Sequence, residues 1–245
     1  MTPICDYAGY DYKKEFWEKV NRLYEDQCER KTLVKLIKKT SPPVQTLMDA
    51  GCGFGRLFDT YEPYSKNFIL LDYAEHLLEQ AMQTHKNENI RFIQGNLLDL
   101  PLKPETVDLI LTVRTLHHLQ NPLQFFKEVN RVLTKEGYFI FEIPNKRHAL
   151  NILRFITGKT AHNPWSKTPL VLKETFLNYH PDTLYTLLKS AGFKKVHSLN
   201  TSFFRSSFLK KHLPTSFLVS LDLLFQSLFS WTNLTPSIYV LAQKI

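Results

Sequence analysis

Short apolar segments of strand length alternate with amphipathic helical segments along most of this chain. Strands separated by helices are typical of βαβ units, whose strands pair in parallel and whose helices cover both faces of a sheet. We therefore predict an α/β fold with a seven-stranded, mostly parallel sheet. The predicted strands are residues 44–50, 67–72, 89–94, 107–113, 138–143, 193–199 and 238–242, and the predicted helices are residues 10–39, 74–84, 122–133, 181–191 and 217–231.

The composition is typical of a globular protein, with 43% hydrophobic and 22% charged residues in a chain of 245. Cys5, Cys28 and Cys52 lie far apart and form no CxxC pair. This spacing disfavours a disulfide framework and a cysteine zinc site, and it favours a reducing, cytoplasmic compartment. We expect no signal peptide, because residues 1–10 lack a basic-then-apolar run. We also expect no membrane-spanning helix, because no stretch of about 20 residues is apolar enough.

The net charge of +8 is concentrated in the last third of the chain. Residues 1–150 contain 20 basic and 20 acidic side chains, whereas residues 151–245 contain 11 basic and 3 acidic ones. This asymmetry indicates either an anionic partner for the last third or a solvated basic surface. No helix-turn-helix, zinc-finger or RNA-recognition motif is apparent, so we expect no nucleic-acid partner.

A glycine cluster follows the first predicted strand, in the sequence DAGCGFGR over residues 49–56. Closely spaced glycines after a strand let the backbone turn sharply and approach a ligand. A dinucleotide fingerprint, GxGxxG, would place its third glycine at position 56, which is Arg56. The spacing therefore argues against a nicotinamide oxidoreductase. Asp49, two residues before the first glycine, suits a ligand that carries an ammonium group rather than a pyrophosphate.

Polar residues at the ends of the next two predicted strands complete a ligand pattern. Asp72 ends the second strand, where a carboxylate can accept hydrogen bonds from both hydroxyls of a ribose. Tyr73 follows it and can lie against a flat ring. Asn96 or Asp99, after the third strand, can bond to an adenine amino edge. A ribose, an adenine and an amino-acid head are together the parts of S-adenosylmethionine.

Five segments of the chain together resemble the successive motifs of class I S-adenosylmethionine-dependent methyltransferases of the methyltransferase-11-like group. They are LMDAGCGFGRL, Asp72, GNLLDLP, VDLILTVRTLHHL and EVNRVLTKEGYFIFE. The match is dense over residues 44–143 and looser beyond, and the whole chain is similar to bacterial members of the group. The resemblance implies a Rossmann-like class I methyltransferase fold with a helical insertion before the last strand, and S-adenosyl-L-methionine as cofactor.

The resemblance also implies a set of cofactor-binding positions. It places Gly51 and Gly53 along the methionine and ribose parts of the cofactor, and it places Asn96 and Leu97 at the adenine edge, although many relatives carry Asp where this chain has Asn96. The full set of expected cofactor-binding residues is Asp49, Gly51, Cys52, Gly53, Gly55, Asp72, Tyr73, Asn96, Leu97, Thr112 and Val113.

Candidate catalytic residues follow the fourth strand. His117 and His118 are candidates for a general base, because imidazole titrates near neutrality; the alternative is that they pack the loop. Arg114 needs a partner if it is buried, either an acceptor anion or one of the carboxylates Glu142 and Asp99. The fifth strand ends in Lys146-Arg147-His148, which the resemblance places on the same rim of the sheet. No metal site is expected.

Residues 1–43 are expected to form an N-terminal helical cap, and residues 44–245 to form the cofactor-binding domain. The resemblance implies that the aromatic residues Tyr7, Tyr10, Tyr12 and Trp17 line the cap, or else that they anchor the first helix. Insertions at 144–178 and 200–236 are expected to form a substrate lid. Helix 217–231 has a broad apolar arc and is interpreted as a lid or wall packed on the domain, a dimer face, or, with residues 210–231, a membrane-surface contact.

The leading hypothesis is methyl transfer to an O, N or C nucleophile of a small-molecule or lipid-like acceptor, with an anionic group suggested by the basic last third. The protein would be a monomer or a homodimer. Nucleic-acid or protein methylation, nicotinamide-dependent redox chemistry and a non-catalytic binding module are the alternatives.

Overall fold

The computed structural model describes Trp17 and residues 22–41, 43–172 and 176–245. All seven predicted strands are present in it, and each lies within about five residues of its expected bounds. They are β1 (Thr46–Ala50), β2 (Asn67–Asp72), β3 (Ile90–Gln94), β4 (Val107–Thr112), β5 (Leu133–Pro144), β8 (Phe193–Thr201) and β9 (Ser237–Lys244), with a separate two-stranded hairpin of β6 (Leu170–Leu172) and β7 (Phe176–Asn178).

The sheet has the order β3-β2-β1-β4-β5-β9-β8. The strands from β3 through β5 pair in parallel, and β9 is antiparallel to both of its neighbours. The carboxyl ends of the parallel strands therefore meet at one edge of the sheet, which we call the carboxyl edge. β8 also ends at this edge and β9 begins there, so the insertion between them returns the chain to the carboxyl edge. The prediction of a Rossmann-like, mostly parallel sheet is confirmed.

Helices cover both faces of the sheet, as the continuous apolar strands require. One apolar cluster joins the sheet to α4 and α6, and a second joins it to α1, α2 and α3. The helices are α1 (Leu23–Ile37), α2 (Phe58–Tyr61), α3 (Glu75–Thr84), α4 (Pro122–Val132), α5 (Ala149–Ile156), α6 (Pro181–Ser190), α7 (Ser207–His212) and α8 (Thr215–Phe229). None of the helices within the described residues is long and apolar enough to cross a bilayer.

The packing of α8 differs from what its apolar arc suggests. The helix packs against α1 and β8 mainly through Leu218, Val219, Asp222 and Gln226, which are buried. Asp222 accepts a hydrogen bond from the hydroxyl of Tyr24 at 3.2 Å, so polar contacts hold this side of the helix inward. The centre of the predicted apolar arc faces outward instead. We return to this exposed surface below.

Candidate active site

Three glycines shape the turn between β1 and α2. Gly51, Gly53 and Gly55 have φ values of +83°, +54° and +76°, a region that other residues rarely adopt. A Cβ on Gly51 would lie 2.5 Å from Oγ1 of Thr115, in the loop after β4. The absence of a side chain at this position therefore lets two loops of the carboxyl edge approach each other closely.

Asp72 at the end of β2 supports this turn. Its Oδ2 accepts a hydrogen bond from the backbone N–H of Gly53 at 2.7 Å, and its Oδ1 accepts one from Ala74 at 2.9 Å. Burial raises the pKa of Asp72, although these backbone donors act in the opposite direction. Each carboxylate oxygen has a further lone pair, so the group can still accept from ribose hydroxyls.

Asp49 lies in β1 just before the glycine turn and is 2% exposed. Its Oδ2 accepts a hydrogen bond from the hydroxyl of Tyr61 at 2.9 Å. Burial raises the pKa of Asp49 to about 7. A buried carboxylate with one neutral partner is a favourable site for an ammonium group, which would restore its charged form.

These groups line a cavity of about 740 Å³ at the carboxyl edge. The cavity also extends along the loop after β4. The described residues that line it are Trp17, Asp49, Gly51, Cys52, Gly53, Phe54, Arg56, Leu57, Asp72, Tyr73, Ala74, Leu77, Asn96, Leu97, Leu98, Val113, Arg114, Thr115, His118, Leu119, Gln120 and Asn121. The glycine turn, the carboxylates of Asp49 and Asp72 and the half-exposed ring of Tyr73 fit the amino-acid, ribose and adenine parts of S-adenosylmethionine.

The loop after β3 distinguishes two candidates for the adenine edge. Asn96 and Leu97 line the cavity, whereas Asp99 is not among the described lining residues. The Oδ1 of Asn96 accepts a hydrogen bond from the backbone N–H of Leu98 at 2.9 Å. With this oxygen engaged, the amide nitrogen of Asn96 is the donor it can offer, and a donor suits a ring nitrogen of adenine better than its amino group.

Two expected cofactor residues do not reach the cavity. Thr112 is 1% exposed and donates from Oγ1 to the carbonyl of Ala50 at 2.6 Å, so it joins β4 to β1. Gly55 makes room for His85 instead: a Cβ there would lie 2.8 Å from the imidazole ring.

Arg114 has an internal partner that the sequence analysis did not consider. Its guanidinium forms an ion pair with the fully buried carboxylate of Glu29 in α1. Its backbone N–H donates to Glu142 at 2.8 Å, which helps to hold the left-handed conformation of the residue, with a φ of +57°. Arg56 also pairs with Glu29, at 2.7 Å, and lies against the ring of Trp17. Arg114 thus ties α1 to the cavity wall, and an acceptor anion is not needed to explain its burial.

The guanidinium groups of Arg114 and Arg56 determine the charge state of Glu29. Burial alone would raise the pKa of this carboxyl, but the two nearby cations hold it below its ordinary value of 4.5. The carboxylate is therefore charged at neutral pH and compensates both guanidiniums.

The two adjacent histidines have different environments. Both rings contact Phe176, with centroids 5.1 Å away for His117 and 5.0 Å away for His118. Only His118 is among the described residues that line the cavity. Burial lowers the pKa of His118 to about 4 and that of His117 well below 6.5, so both are neutral at pH 7. Of the two, His118 is therefore the candidate proton acceptor, because it lines the cavity.

The predicted basic rim is only partly available to a ligand. The ammonium of Lys146 donates to the carbonyl of Thr168 at 2.5 Å, inside the insertion after β5. Burial lowers the pKa of His148 to about 4, with Arg205 and Arg154 acting in the same direction.

Of the N-terminal aromatic residues, Tyr7, Tyr10 and Tyr12 lie outside the described residues, and Trp17 lines the cavity.

Sequence reasoning missed several lining residues. Leu57, Leu77 and Leu119 form apolar walls, and Gln120 and Asn121 lie in the loop after β4. Leu57 precedes α2 and Leu77 lies in α3, and in the sequence neither residue differs from an ordinary apolar core position. Gln120 and Asn121 follow the HHL sequence directly, and this adjacency was the one available signal.

Comparison with known proteins agrees with this geometry. Residues 48–141 match a family described as a methyltransferase domain. A probable S-adenosylmethionine-dependent methyltransferase of Mycolicibacterium smegmatis is 31% identical over 149 residues, covering 60% of this chain and 51% of that protein. One from Saccharomyces cerevisiae is 30% identical over 203 residues, covering 76% of this chain and 66% of that protein. The chain spans about half the length of the first three curated relatives.

The fold is also similar to solved structures. The crystal structure of an S-adenosylmethionine-dependent methyltransferase from Mesorhizobium loti superposes with a TM-score of 0.62 at 17% identity, covering 86% of this chain and 96% of that one. The fold and the site define a class I methyltransferase domain. The chain belongs to the S-adenosylmethionine-dependent methyltransferases through this domain, and S-adenosylmethionine is the cofactor of that class.

Cofactor affinity is expected to depend on pH through Asp49. The carboxylate form attracts the cofactor ammonium and the protonated form does not, so affinity should rise with pH through the pKa of about 7. We expect S-adenosylhomocysteine to bind about tenfold more weakly at about pH 6 than at pH 8. Calorimetry at several pH values measures this change.

The control for this prediction is Asp49→Asn, which should bind more weakly and with little pH dependence. Asp72 and His118 also line the cavity and titrate, and they remain in this variant. An equally steep pH dependence in Asp49→Asn would assign the titration to one of them instead.

Proposed function

We propose that this protein transfers the methyl group of S-adenosylmethionine to an O, N or C nucleophile of a small-molecule or lipid-like acceptor. The observation that carries the proposal is the continuity of the cavity. The cofactor-binding groups at the ends of β1 and β2 share one space with His118, Leu119 and Asn121 after β4. A cofactor and an acceptor can therefore lie next to each other in the same cavity.

The cofactor supplies an activated methyl group on its sulfonium, so the chain itself mainly has to bind and position the reactants. Asp49 and Asp72 orient the cofactor, and the glycine turn brings its backbone close to the ligand. The leucine side chains of the cavity wall exclude water around the reacting atoms. No nucleophilic residue of the protein is required.

The acceptor is proposed to have an apolar body, because Leu57, Leu77, Leu98, Val113 and Leu119 line the cavity. The basic last third supports an anionic group on it as a finer proposal. Arg114 is already paired with Glu29, so such a group would have to contact another cation of the rim, of which Arg147 is half-buried.

His118 is proposed to accept the proton that a hydroxyl or amine acceptor releases. Its imidazole lines the cavity and is neutral at pH 7, although burial lowers its pKa to about 4 and so makes it a weaker base than a free imidazole. We expect His118→Ala to lower kcat by about 10–100-fold with little change in cofactor affinity. His117→Ala, at the neighbouring position that stacks on Phe176, is the matched control and should retain most activity. Equal losses in both variants would indicate that the pair only packs the loop.

The proposed function is tested by acceptor-dependent release of S-adenosylhomocysteine. Purified protein is incubated with S-adenosylmethionine and a panel of fatty acids, phenols, amines and phospholipids, with oligonucleotides and peptides as separate arms. We expect release with a member of the small-molecule or lipid set, and much slower release at the same cofactor concentration in an Asp72→Ala variant. Methylation of oligonucleotides or peptides alone would contradict the proposed acceptor class. Binding of NAD without binding of S-adenosylhomocysteine would contradict the reaction itself.

A cytoplasmic location is proposed from the cysteines. Cys28 and Cys52 are buried free thiols, as a reducing compartment would keep them.

A further inference from the structure

An apolar stripe on α8 and the turn that follows it faces away from the protein. Phe217, Leu224, Leu228 and Trp231 share one side of the helix at spacings of seven, four and three residues. Their exposed fractions are 53%, 55%, 55% and 81%. Soluble proteins rarely expose large apolar side chains in such a continuous row, so the stripe indicates a binding surface.

Hydrogen bonds on the opposite side of α8 keep the stripe exposed. Asp222 accepts from the backbone N–H of Ser202 at 2.9 Å in addition to the hydroxyl of Tyr24. The amide nitrogen of Gln226 donates to Thr32 at 2.9 Å and to the carbonyl of Asn200 at 3.0 Å. Rotating the helix to bury the stripe would break all of these bonds and leave buried polar groups without partners.

A second helix with exposed apolar side chains begins beside the segment that follows α8. Leu150, Leu153 and Ile156 of α5 are 50%, 57% and 69% exposed. The backbone N–H of Ala149, at the start of α5, donates to the carbonyl of Leu234 at 2.8 Å, just after the α8 turn. We define the α5/α8 surface as the exposed apolar side chains of these two segments: Leu150, Leu153, Ile156, Phe217, Leu224, Leu228, Phe229, Trp231 and Leu234.

The charges around the α5/α8 surface are almost all positive. Residues 145–172 and 203–236 contain eight Lys and Arg residues and a single carboxylate, Asp222, which is buried. Arg154, Lys159 and Lys211 are exposed, and no ion pair of theirs occurs within the described residues. Two of the eight cations pair with carboxylates from elsewhere in the chain, Lys167 with Asp182 and Lys210 with Glu25. An apolar surface flanked by the three exposed cations complements an anionic lipid headgroup layer. A second copy of the chain would instead bring like charges together.

The position of the surface connects it to the carboxyl edge. Pro144, at the end of β5, pairs with Ser237, at the start of β9. In the chain, α5 follows Pro144 and α8 precedes Ser237, so both helices connect to the sheet at its carboxyl edge. The cavity opens at the same edge of the sheet. We propose that the α5/α8 surface docks on an anionic membrane, with its apolar side chains in the headgroup region and its cations on lipid phosphates. The proposal does not depend on the identity of the methyl acceptor.

Vesicle flotation without cofactor or acceptor tests this proposal. The full chain is mixed with vesicles of pure phosphatidylcholine, or with vesicles that contain about one third phosphatidylglycerol. We expect binding at least about tenfold stronger to the anionic vesicles, weakening as salt is added. Binding to both kinds of vesicle alike, or to neither, would overturn the proposal.

Variants assign the binding to the surface. The triple variant Leu224→Ser, Leu228→Ser, Trp231→Ser should bind the anionic vesicles at least about tenfold more weakly than the unmodified protein. Met82→Ser is the matched control, because Met82 is 49% exposed on α3, next to β2 and β3 at the far end of the sheet. It should bind as the unmodified protein does. Unchanged binding by the triple variant would overturn the proposal.

Two further measurements keep the test decisive. If the triple variant does not fold, as judged by S-adenosylhomocysteine binding and thermal unfolding, the charge variant Arg154→Glu, Lys211→Glu replaces it, with the same expected loss on anionic vesicles.

Light scattering reports the oligomeric state. A concentration-dependent dimer that the apolar substitutions abolish, with no vesicle binding, would assign the surface to a second copy of the chain and overturn the membrane proposal.

Discussion

Replacing Glu29 by alanine is expected to lower the free energy of unfolding by about 3–5 kcal/mol, because Arg114 loses this carboxylate and Arg56 keeps only Asp26. Glu29 is fully buried between the guanidiniums of Arg56 and Arg114. The loss should also loosen α1 from the cavity wall, since both arginines line the cavity. Urea denaturation followed by circular dichroism measures the change.

Asp26→Ala is the control for the Glu29 prediction. Asp26 pairs with Arg56 and Arg30 but its side chain is 19% exposed, and its replacement should cost about 1 kcal/mol or less. The pH dependence provides a second check. The pKa of Glu29 is lowered in the folded state, so its contribution to stability should be present above about pH 4.5 and be lost as the pH falls below it. A Glu29→Ala variant as stable as Asp26→Ala would mean that water or another group compensates the arginines.

Replacing Asp72 by alanine is expected to weaken S-adenosylhomocysteine binding by about 10–150-fold, or about 1.5–3 kcal/mol. Two effects add in this variant. The ribose hydroxyls lose their acceptor, and the backbone N–H groups of Gly53 and Ala74 lose the bonds that shape the glycine turn. Isothermal titration calorimetry measures the affinity.

Two further variants test this assignment of Asp72. Asp72→Asn keeps one oxygen acceptor and should have an intermediate affinity. Asp99→Ala changes a carboxylate in the neighbouring loop that is not among the described lining residues, and it should bind as the unmodified protein does. If Asp99→Ala abolished binding while Asp72→Ala did not, the assignment of the cofactor groups would be wrong.

The tertiary structure changes the interpretation of two further site predictions, the one for the histidine pair and the one for Arg114. The general-base hypothesis named two adjacent histidines; both contact Phe176, and only His118 is among the described lining residues of the cavity. The anion-binding hypothesis for Arg114 considered Glu142 and Asp99 as internal partners. The side chain instead pairs with Glu29, which is 85 positions away in the chain. A long-range pair of this kind leaves no local trace in a sequence.

The α8 helix shows a different kind of limit. A helical wheel identifies the apolar arc, and the apolar side of an amphipathic helix usually packs against the core of the protein. In this chain Asp222 and Gln226 find hydrogen-bond partners on α1 and after β8, so the polar side is buried and the apolar side is exposed. Amphipathicity alone does not reveal which side has satisfied partners in the folded state.

The sequence by itself determined the seven strands, their connecting helices and the cofactor turn, because these depend on local periodicity and on short-range backbone chemistry. Asp49, Gly51 and Gly53 lie where their spacing predicts, since a turn after a buried strand leaves few alternatives. Only the tertiary structure decided which polar groups face the cavity and which are used internally. Thr112 bonds to Ala50 and Arg114 pairs with Glu29 because strands and helices distant in sequence are adjacent in space, and burial requires each polar group to find a partner there.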